Sequence, residues 1–462
     1  MNHNGRGSAW KLLRASVTAF RRGLWVITAA LAASVGLVTA AGAVILVDCD
    51  TPADFCTGDP CTTPDKIEIT VASCVLNFGA SDLVLAHPVI VPNNGTLSLT
   101  AESIEVKKKI AGQHTKAAAG DGADVTLTAT TGDITVKKRI DVSGKNTTGS
   151  ILLDAVGNIA LQNKLFARGK RTLPLATGGV VTLQADGMVT ATKKGKIDAR
   201  GKKSKTAGGQ VTLSGQGGVT SYQIDVRGKP GGSVVLASSA GNVTVNGQVR
   251  AVAWKNGSAG GGSITVNAAG DISGHGAMVV NGGAPGAGTI ALTAGGDITD
   301  VRVLKAKGIG VPGGTVSAMA SGVDIDKIEV SGSDGGVIGV TSGTADVTLG
   351  KLLARGSSGA GGTIDVDSAA NATVQSVNGR GDTVGAEMRF AANGNLNLGT
   401  KSGDKFDARG TAGGVIEGQA TGNLTALGKY TAATGGCIGL SAGGVLTTSG
   451  ATFDGPLTGS CP

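Results

Sequence analysis

The sequence predicts an all-β fold, a parallel β-helix in which short strands wind into one long solenoid. Three observations predict it. The stretch Lys196-Ile197-Asp198-Ala199-Arg200-Gly201-Lys202 recurs with small changes from one end of the chain to the other. Glycine supplies 79 of the 462 residues while aromatics make up only 3%. A Gly-led alternation of apolar and polar residues returns at a nearly constant spacing.

Copies of the first motif are Arg139-Ile140-Asp141-Val142-Ser143-Gly144-Lys145, Lys164-Leu165-Phe166-Ala167-Arg168-Gly169-Lys170 and Gln223-Ile224-Asp225-Val226-Arg227-Gly228-Lys229. Later ones are Lys351-Leu352-Leu353-Ala354-Arg355-Gly356 and Lys405-Phe406-Asp407-Ala408-Arg409-Gly410. Apolar residues alternate with charged ones and glycine ends the run, which reads as a half-buried strand closed by a turn. A second motif opens each unit, as in Gly179-Val180-Val181-Thr182-Leu183 and Gly262-Ser263-Ile264-Thr265-Val266. From Gly95 to Gly436 it takes thirteen steps over 341 residues, a mean of about 26. A third, Gly241-Asn242-Val243-Thr244-Val245, follows within the unit. Its Gly-Asn or Gly-Asp doublet supplies residues that tolerate positive φ at a corner. Three strands and three corners make a triangular coil, and thirteen or fourteen coils would give a rod of roughly 65 Å.

Length alone would suggest two or three globular domains, but a repeat running almost throughout argues for a single elongated unit. Regular Val, Ile and Leu argue against disorder, and glycine without a strict third-residue period excludes collagen. Residues 1–43 read as an export signal. Arg14, Arg21 and Arg22 precede an apolar run from Gly23 to Val47, with Ala41-Gly42-Ala43 as a small-residue cleavage site. The run is also long enough to span a bilayer, so a cleaved signal and an uncleaved anchor both stay open.

The six cysteines lie at the two ends, and an even count in an exported chain favours disulfides. Cys437 and Cys461 are 24 residues apart, close to one coil, a stacking distance that a disulfide tolerates. Cys49 and Cys74 have the same relation, which leaves Cys56 with Cys61, although four cysteines allow three pairings. Residues 44–94 read as a cysteine-containing cap leading into the first coils, and 95–462 as the β-helix with a cysteine-containing C-terminal cap.

Taken together, Gly-Gly-x-(Val/Ile)-Thr-Leu, Gly-(Asp/Asn)-(Ile/Val/Leu)-Thr-(Val/Leu) and Ile-Asp-Ala-Arg-Gly resemble the repeats of bacterial filamentous-haemagglutinin-type right-handed parallel β-helix proteins. The resemblance covers about residues 66–455. It implies an exported surface or periplasmic protein of a Gram-negative-type bacterium, with an adhesive or structural role. Two features depart from the family: no two-partner secretion signature is present beyond the turn-like Pro92-Asn93-Asn94-Gly95, and no aromatic barrel strands precede Pro462.

The alternation points Ile197 and Ala199 inward and Lys196, Asp198 and Arg200 outward. Stacked coils should then carry surface ladders, Arg168, Arg200 and Arg227 on one rung position and Asp198 and Asp225 on its neighbour, joined by exposed salt bridges of at most about 1 kcal/mol each. A carboxylate–arginine site of a polysaccharide lyase or glycoside hydrolase is the competing reading, but these residues belong to the repeat, and a catalytic cluster should break it. After the signal only Trp254, Tyr222 and Tyr430 remain of the Trp and Tyr residues, few for a sugar-cleaving groove. Trp254 is expected to cover a corner. His3, His87, His114 and His275 are scattered. No metal or other cofactor is expected.

The most site-like feature is basic. Lys107, Lys108 and Lys109, then Lys137, Lys138 and Arg139, then Lys193, Lys194 and Lys196 recur at matching coil positions. Residues 101–205 hold 19 Lys plus Arg against 9 Asp plus Glu, a balance of +10. The whole chain carries +8 and residues 1–43 contribute +5, so the rest of the mature chain carries 8 − 5 − 10 = −7. This polarity predicts a ridge that attracts polyanions: acidic polysaccharide, lipopolysaccharide or another anionic surface component, with no nucleic acid expected. Lysines along strands also protect sheet edges from aggregation. The expectation is an exported, non-catalytic, adhesive or structural module.

Overall fold

The computed structural model describes residues 44–112, 120–169, 177–202, 206–254 and 259–461. The expected export segment, His3, His114, Lys170, Lys203 and Lys205 lie outside the described residues. Among the described residues there is no α-helix, only a 3-10 turn at Pro52–Asp54.

The chain is a parallel β-solenoid. One face is a sheet of 16 strands stacked in chain order, from Ser73–Asn77 to Leu457–Thr458. The other two faces form a 30-stranded sheet bent over the second and third sides of the coil. The coil count is therefore about sixteen and not thirteen or fourteen. Winding begins before the first Gly-led unit, with Val44–Val47 paired in register to Lys66–Ile69, and continues past the last, with Ile438 opposite Leu457. Fifteen steps of about 4.8 Å give a rod of roughly 72 Å.

The inward positions explain why these sequences wind this way. In Val180–Ala185 the buried residues are Val181, Leu183 and Ala185. Register stacks like on like: Leu97, Val125, Ile151, Val181, Val211, Val234 and Ile264 form one internal column. None of the seven is more than 1% exposed, and each such burial stabilises by about 1.5–3 kcal/mol. The opening glycine is required by close approach between coils. A Cβ on Gly262 would lie 1.8 Å from the Gly232 carbonyl oxygen.

The Gly-Asx doublets work differently from the expectation. Neither Gly241 nor Asn242 has positive φ. Asn242 Oδ1 accepts the Asp271 amide at 2.8 Å, and Asp271 Oδ1 accepts the Asp297 amide at 2.8 Å. The corner thus carries a side-chain ladder that satisfies backbone donors of the next coil. Glycine precedes it because a Cβ on Gly241 would meet the Gly217 carbonyl oxygen at 2.1 Å.

Coils vary in length. Thr315 pairs with Val337, 22 residues on, and Ser150 with Val180, 30 on. Most of the difference falls in the corner after the Arg-Gly of the first motif. In three coils the second and third strands fuse into the seven-residue strands Val323–Glu329, Val347–Leu353 and Ala372–Asn378. Near the C-terminus aromatic rings fill the interior. Phe406 and Tyr430 stack at 4.8 Å, Tyr430 and Phe453 at 5.2 Å, and the buried Tyr430 hydroxyl donates to the Leu398 carbonyl at 2.5 Å.

All three disulfides form: Cys49–Cys74, Cys56–Cys61 and Cys437–Cys461. The C-terminal pair is not a coil-to-coil stack, however. Ile438 opposes Leu457, so Cys461 lies beyond the last paired strand and the tail returns to reach Cys437.

Candidate functional site

The basic ridge occupies the corner between the second and third strands. Val106 pairs with Val136 and Val136 with Leu161, and likewise Ile110 pairs with Ile140 and Ile140 with Leu165. The residues between them are therefore stacked coil on coil. Lys107, Lys108 and Lys109 lie beside Lys137, Lys138 and Arg139, all six exposed. The next coil brings Gln162, Asn163 and Lys164 to this place, and the one after brings Lys193 and Lys194, also exposed. Lys109, Arg139 and Lys164 thus line up on three consecutive coils, about 4.8 Å apart. Lys164 was not singled out from the sequence. Its signal is its place one residue before Leu165, matching Arg139 before Ile140.

Two features temper the positive charge. Glu105 pairs with Lys107 at 3.0 Å and with Lys137 of the next coil. Partial burial raises its pKa, but hydrogen bonds from the two lysines outweigh that and hold the carboxyl below its usual range. Lys196 does not join the exposed row. It is half-buried, and its pKa is lowered by desolvation and by Arg200 and Arg227, against the pull of Asp198 and Asp225.

The Asp–Arg ladder corrects the expectation of exposed surface pairs. Asp198 and Asp225 are each only 1% exposed. Strand alternation fails here because Ile197, Asp198 and Ala199 are buried in succession as the chain rounds the third corner. Arg200 clasps Asp198 through Nε and Nη2, both at 2.8 Å, and reaches Asp225 at 3.7 Å. Arg227 clasps Asp225 in the same way at 2.8 and 2.7 Å. Arg168 has Phe166 at its acid position. It stacks on that ring at 4.1 Å and reaches Asp198 at 3.8 Å. Trp254 is half-buried with the Arg227 guanidinium 4.6 Å from its ring centre, so it covers the column's edge.

The column continues down the rod in register. Glu329 is nearly buried and pairs with Lys307 at 2.8 Å, Lys327 at 3.3 Å and Lys305 at 3.4 Å. Burial raises its pKa, yet these three ammonium groups bring it down to about 2. Arg409 clasps Asp407 at 2.8 Å through both nitrogens.

One place on the second face breaks the repeat. Between Ile298 and Val301 the register slips against Val323 and Ile325, and Asp300 takes a left-handed φ of 56°. Asp324 sits opposite this bulge, and its pKa is raised by desolvation and by the neighbouring carboxylates of Asp326 and Asp300. A shallow groove of about 440 Å³ runs past Asp297, Asp324 and Asp346. Among the described residues no three His, Cys, Asp or Glu gather as a metal-binding group.

Fold and surface together define a parallel β-solenoid with disulfide-linked ends and a basic ridge. No protein-family model, curated protein or solved structure matches the chain.

Proposed function

We propose that this chain is an exported, non-catalytic β-solenoid of the bacterial cell surface, of the filamentous-haemagglutinin type, that binds polyanionic glycans along its basic ridge. The observation that carries this reading is the row Lys109, Arg139 and Lys164, flanked by Lys108, Lys138, Lys193 and Lys194 and exposed over four consecutive coils. A linear polyanion lying along the rod meets a cation at each coil. The apolar segment from Gly23 to Ala43 and three disulfides support export to an oxidising compartment. The repeat motifs support the haemagglutinin-type assignment.

The test is salt elution of the purified protein from heparin and from immobilised lipopolysaccharide. Replacing Lys107, Lys108, Lys109, Lys137, Lys138 and Arg139 by glutamine should move elution to lower salt. A wild-type protein with no salt-sensitive binding to either matrix sinks the reading.

A second reading, hydrolysis or lyase cleavage of an acidic polysaccharide, is favoured by one observation. The bulge at Asp300 breaks the repeat beside Asp324, whose raised pKa suits a proton donor. Depolymerisation of an acidic glycan that is lost in Asp324→Asn would replace the binding reading with this one.

A further inference from the structure

Two neighbouring arginines of the third-corner column have no carboxylate at the Asp198 position of their own coils, and they line a cavity. Counting by register, that position reads Asp198, Asp225, then Arg250, Val279 and Lys305, and later the acids Glu329 and Asp407. In two adjacent coils it reads Leu353 and Asn378 instead. The cation position there is still arginine, Arg355 and Arg380. Their backbones are neighbours, the Gly356 amide donating to the Arg380 carbonyl at 3.0 Å. Both side chains are exposed, and among the described residues neither forms an ion pair. Asp407, one coil on, is already clasped by Nε and Nη2 of Arg409, and Arg380 acts on it only at longer range.

Around these two arginines lies a pocket of about 470 Å³, within the usual range for small-ligand sites. Lys307, Ser331, Ser357 and Asp382 complete its polar lining, and glycines 308, 310, 332 and 356 keep its walls free of side chains. Lys307 is committed to Glu329 at 2.8 Å, so the remaining charged lining is two arginines against one carboxylate, Asp382. No aromatic ring lines the pocket, so its contacts with a ligand are polar. A guanidinium presents a planar fork of donors that matches a carboxylate or sulfate, and two forks on adjacent coils can grip one such group from both sides. The two serine hydroxyls and the Asp382 carboxylate supply acceptors for ligand hydroxyls.

We propose that the pocket formed by Arg355, Arg380, Ser331, Ser357 and Asp382 binds one acidic sugar residue, its carboxylate held by the two arginines and its hydroxyls by the other three side chains. The site lies on a different corner and in later coils than the basic ridge. Its place follows from the missing acids, while the choice of a sugar acid as ligand rests on the glycan reading above. A chain end or a short branch suits this pocket, whereas a long polyanion suits the ridge.

Isothermal titration with an oligogalacturonate trimer, against a neutral galactose trimer, tests the proposal. The acidic trimer should bind in moderate salt and the neutral one should not. Arg355→Gln with Arg380→Gln should weaken binding at least about tenfold, as expected when charge-assisted hydrogen bonds are lost. Both side chains are exposed, so the fold should survive, and an unchanged circular dichroism spectrum confirms it. Ser357→Ala, which removes the exposed hydroxyl of the lining, should weaken binding as well, which a purely electrostatic attraction would not show. The glutamine variant of the ridge should bind the trimer as the wild type does while losing heparin retention, so failure of either site shows separately. Equal binding of the neutral trimer, no binding of the acidic one, or full affinity in the double arginine variant would each overturn the proposal.

Discussion

Asp198 and Arg200, two residues apart in one coil, meet in a two-pronged ion pair, with Nε and Nη2 of the arginine each 2.8 Å from a carboxylate oxygen. The carboxylate is 1% exposed and the guanidinium side chain 26%. The pair therefore lies at the boundary of the core, where breaking it is far costlier than breaking a surface pair. Asp198→Ala leaves Arg200 with Asp225 at 3.7 Å and removes the carboxylate nearest Arg168. A loss of about 3 kcal/mol is expected. Replacing both partners by Leu and Met should recover most of it. A solenoid can open locally, so the sensitive readout is hydrogen exchange at the Ala199 and Gly201 amides, which bond to Asp225 and Arg227 of the next coil. Unchanged protection in Asp198→Ala would show the pair to be energetically silent.

The same motif shows what the sequence could and could not reveal. Alternation placed Ile197 and Ala199 inside correctly, because a strand's side chains face opposite sides of the sheet. It placed Asp198 outside, because no local pattern signals that the chain bends there and buries three successive residues. The basic ridge was legible because Lys109 and Arg139 each precede an inward isoleucine at the same coil position. The arginine pocket was not, since its defining feature is an absence. Leu353 and Asn378 stand where neighbouring coils have acids, and only the register makes them comparable. The Gly-Asn doublets were recognised as corners, but their mechanism was not. A side chain that bonds to a residue 29 positions on, as Asn242 does to Asp271, is invisible until the coils are stacked.

Glu329 predicts an acid-sensitive segment in the middle of the rod. Its folded pKa is lowered from 4.5 to about 2. A depressed carboxylate stabilises fully above its unfolded pKa, and that stability is lost as pH falls through the folded value. The contribution, about 3 kcal/mol, is therefore present above about pH 5 and disappears between about pH 4.5 and 2. Glu329→Gln should lower stability at neutral pH and flatten its dependence over that window. Melting temperatures recorded from pH 7 to 2.5 check this, and a variant whose curve runs parallel to the wild type would contradict it.

Glycine tolerance should split sharply by position. Gly241→Ala places a methyl 2.1 Å from the Gly217 carbonyl oxygen and within 3.0 Å of the Gly218 nitrogen, backbone that cannot step aside as a flexible side chain could. It should destabilise by about 1–3 kcal/mol through overpacking. Gly339 lies within the strand Val337–Ser342, with ordinary φ and with open space for 4 Å around the place a Cβ would take. Gly339→Ala should be neutral or stabilise by up to about 1 kcal/mol, by restricting the unfolded chain. Thermal melting of the two variants side by side decides the matter. A stable Gly241→Ala would mean that adjacent coils can separate at the Asx corner.

Glu105 provides the most discriminating test of the ridge. Its carboxylate bonds both Lys107 and Lys137, and so it subtracts charge from the surface proposed to bind polyanions. Glu105→Gln removes a negative charge while leaving a hydrogen-bonding side chain of the same size. If the ridge is the binding surface, this single change should tighten heparin binding, by about threefold at low salt for one charge some 6–7 Å from the ligand in water. The gain should fade as added salt shortens the screening length to a few ångströms. A structural role for Glu105 alone would give the opposite result, because loosening Lys107 and Lys137 without engaging a ligand lowers the melting temperature and leaves retention unchanged. Retention and melting temperature measured on the same sample separate the two, and a tighter, salt-sensitive variant is the outcome the ridge requires.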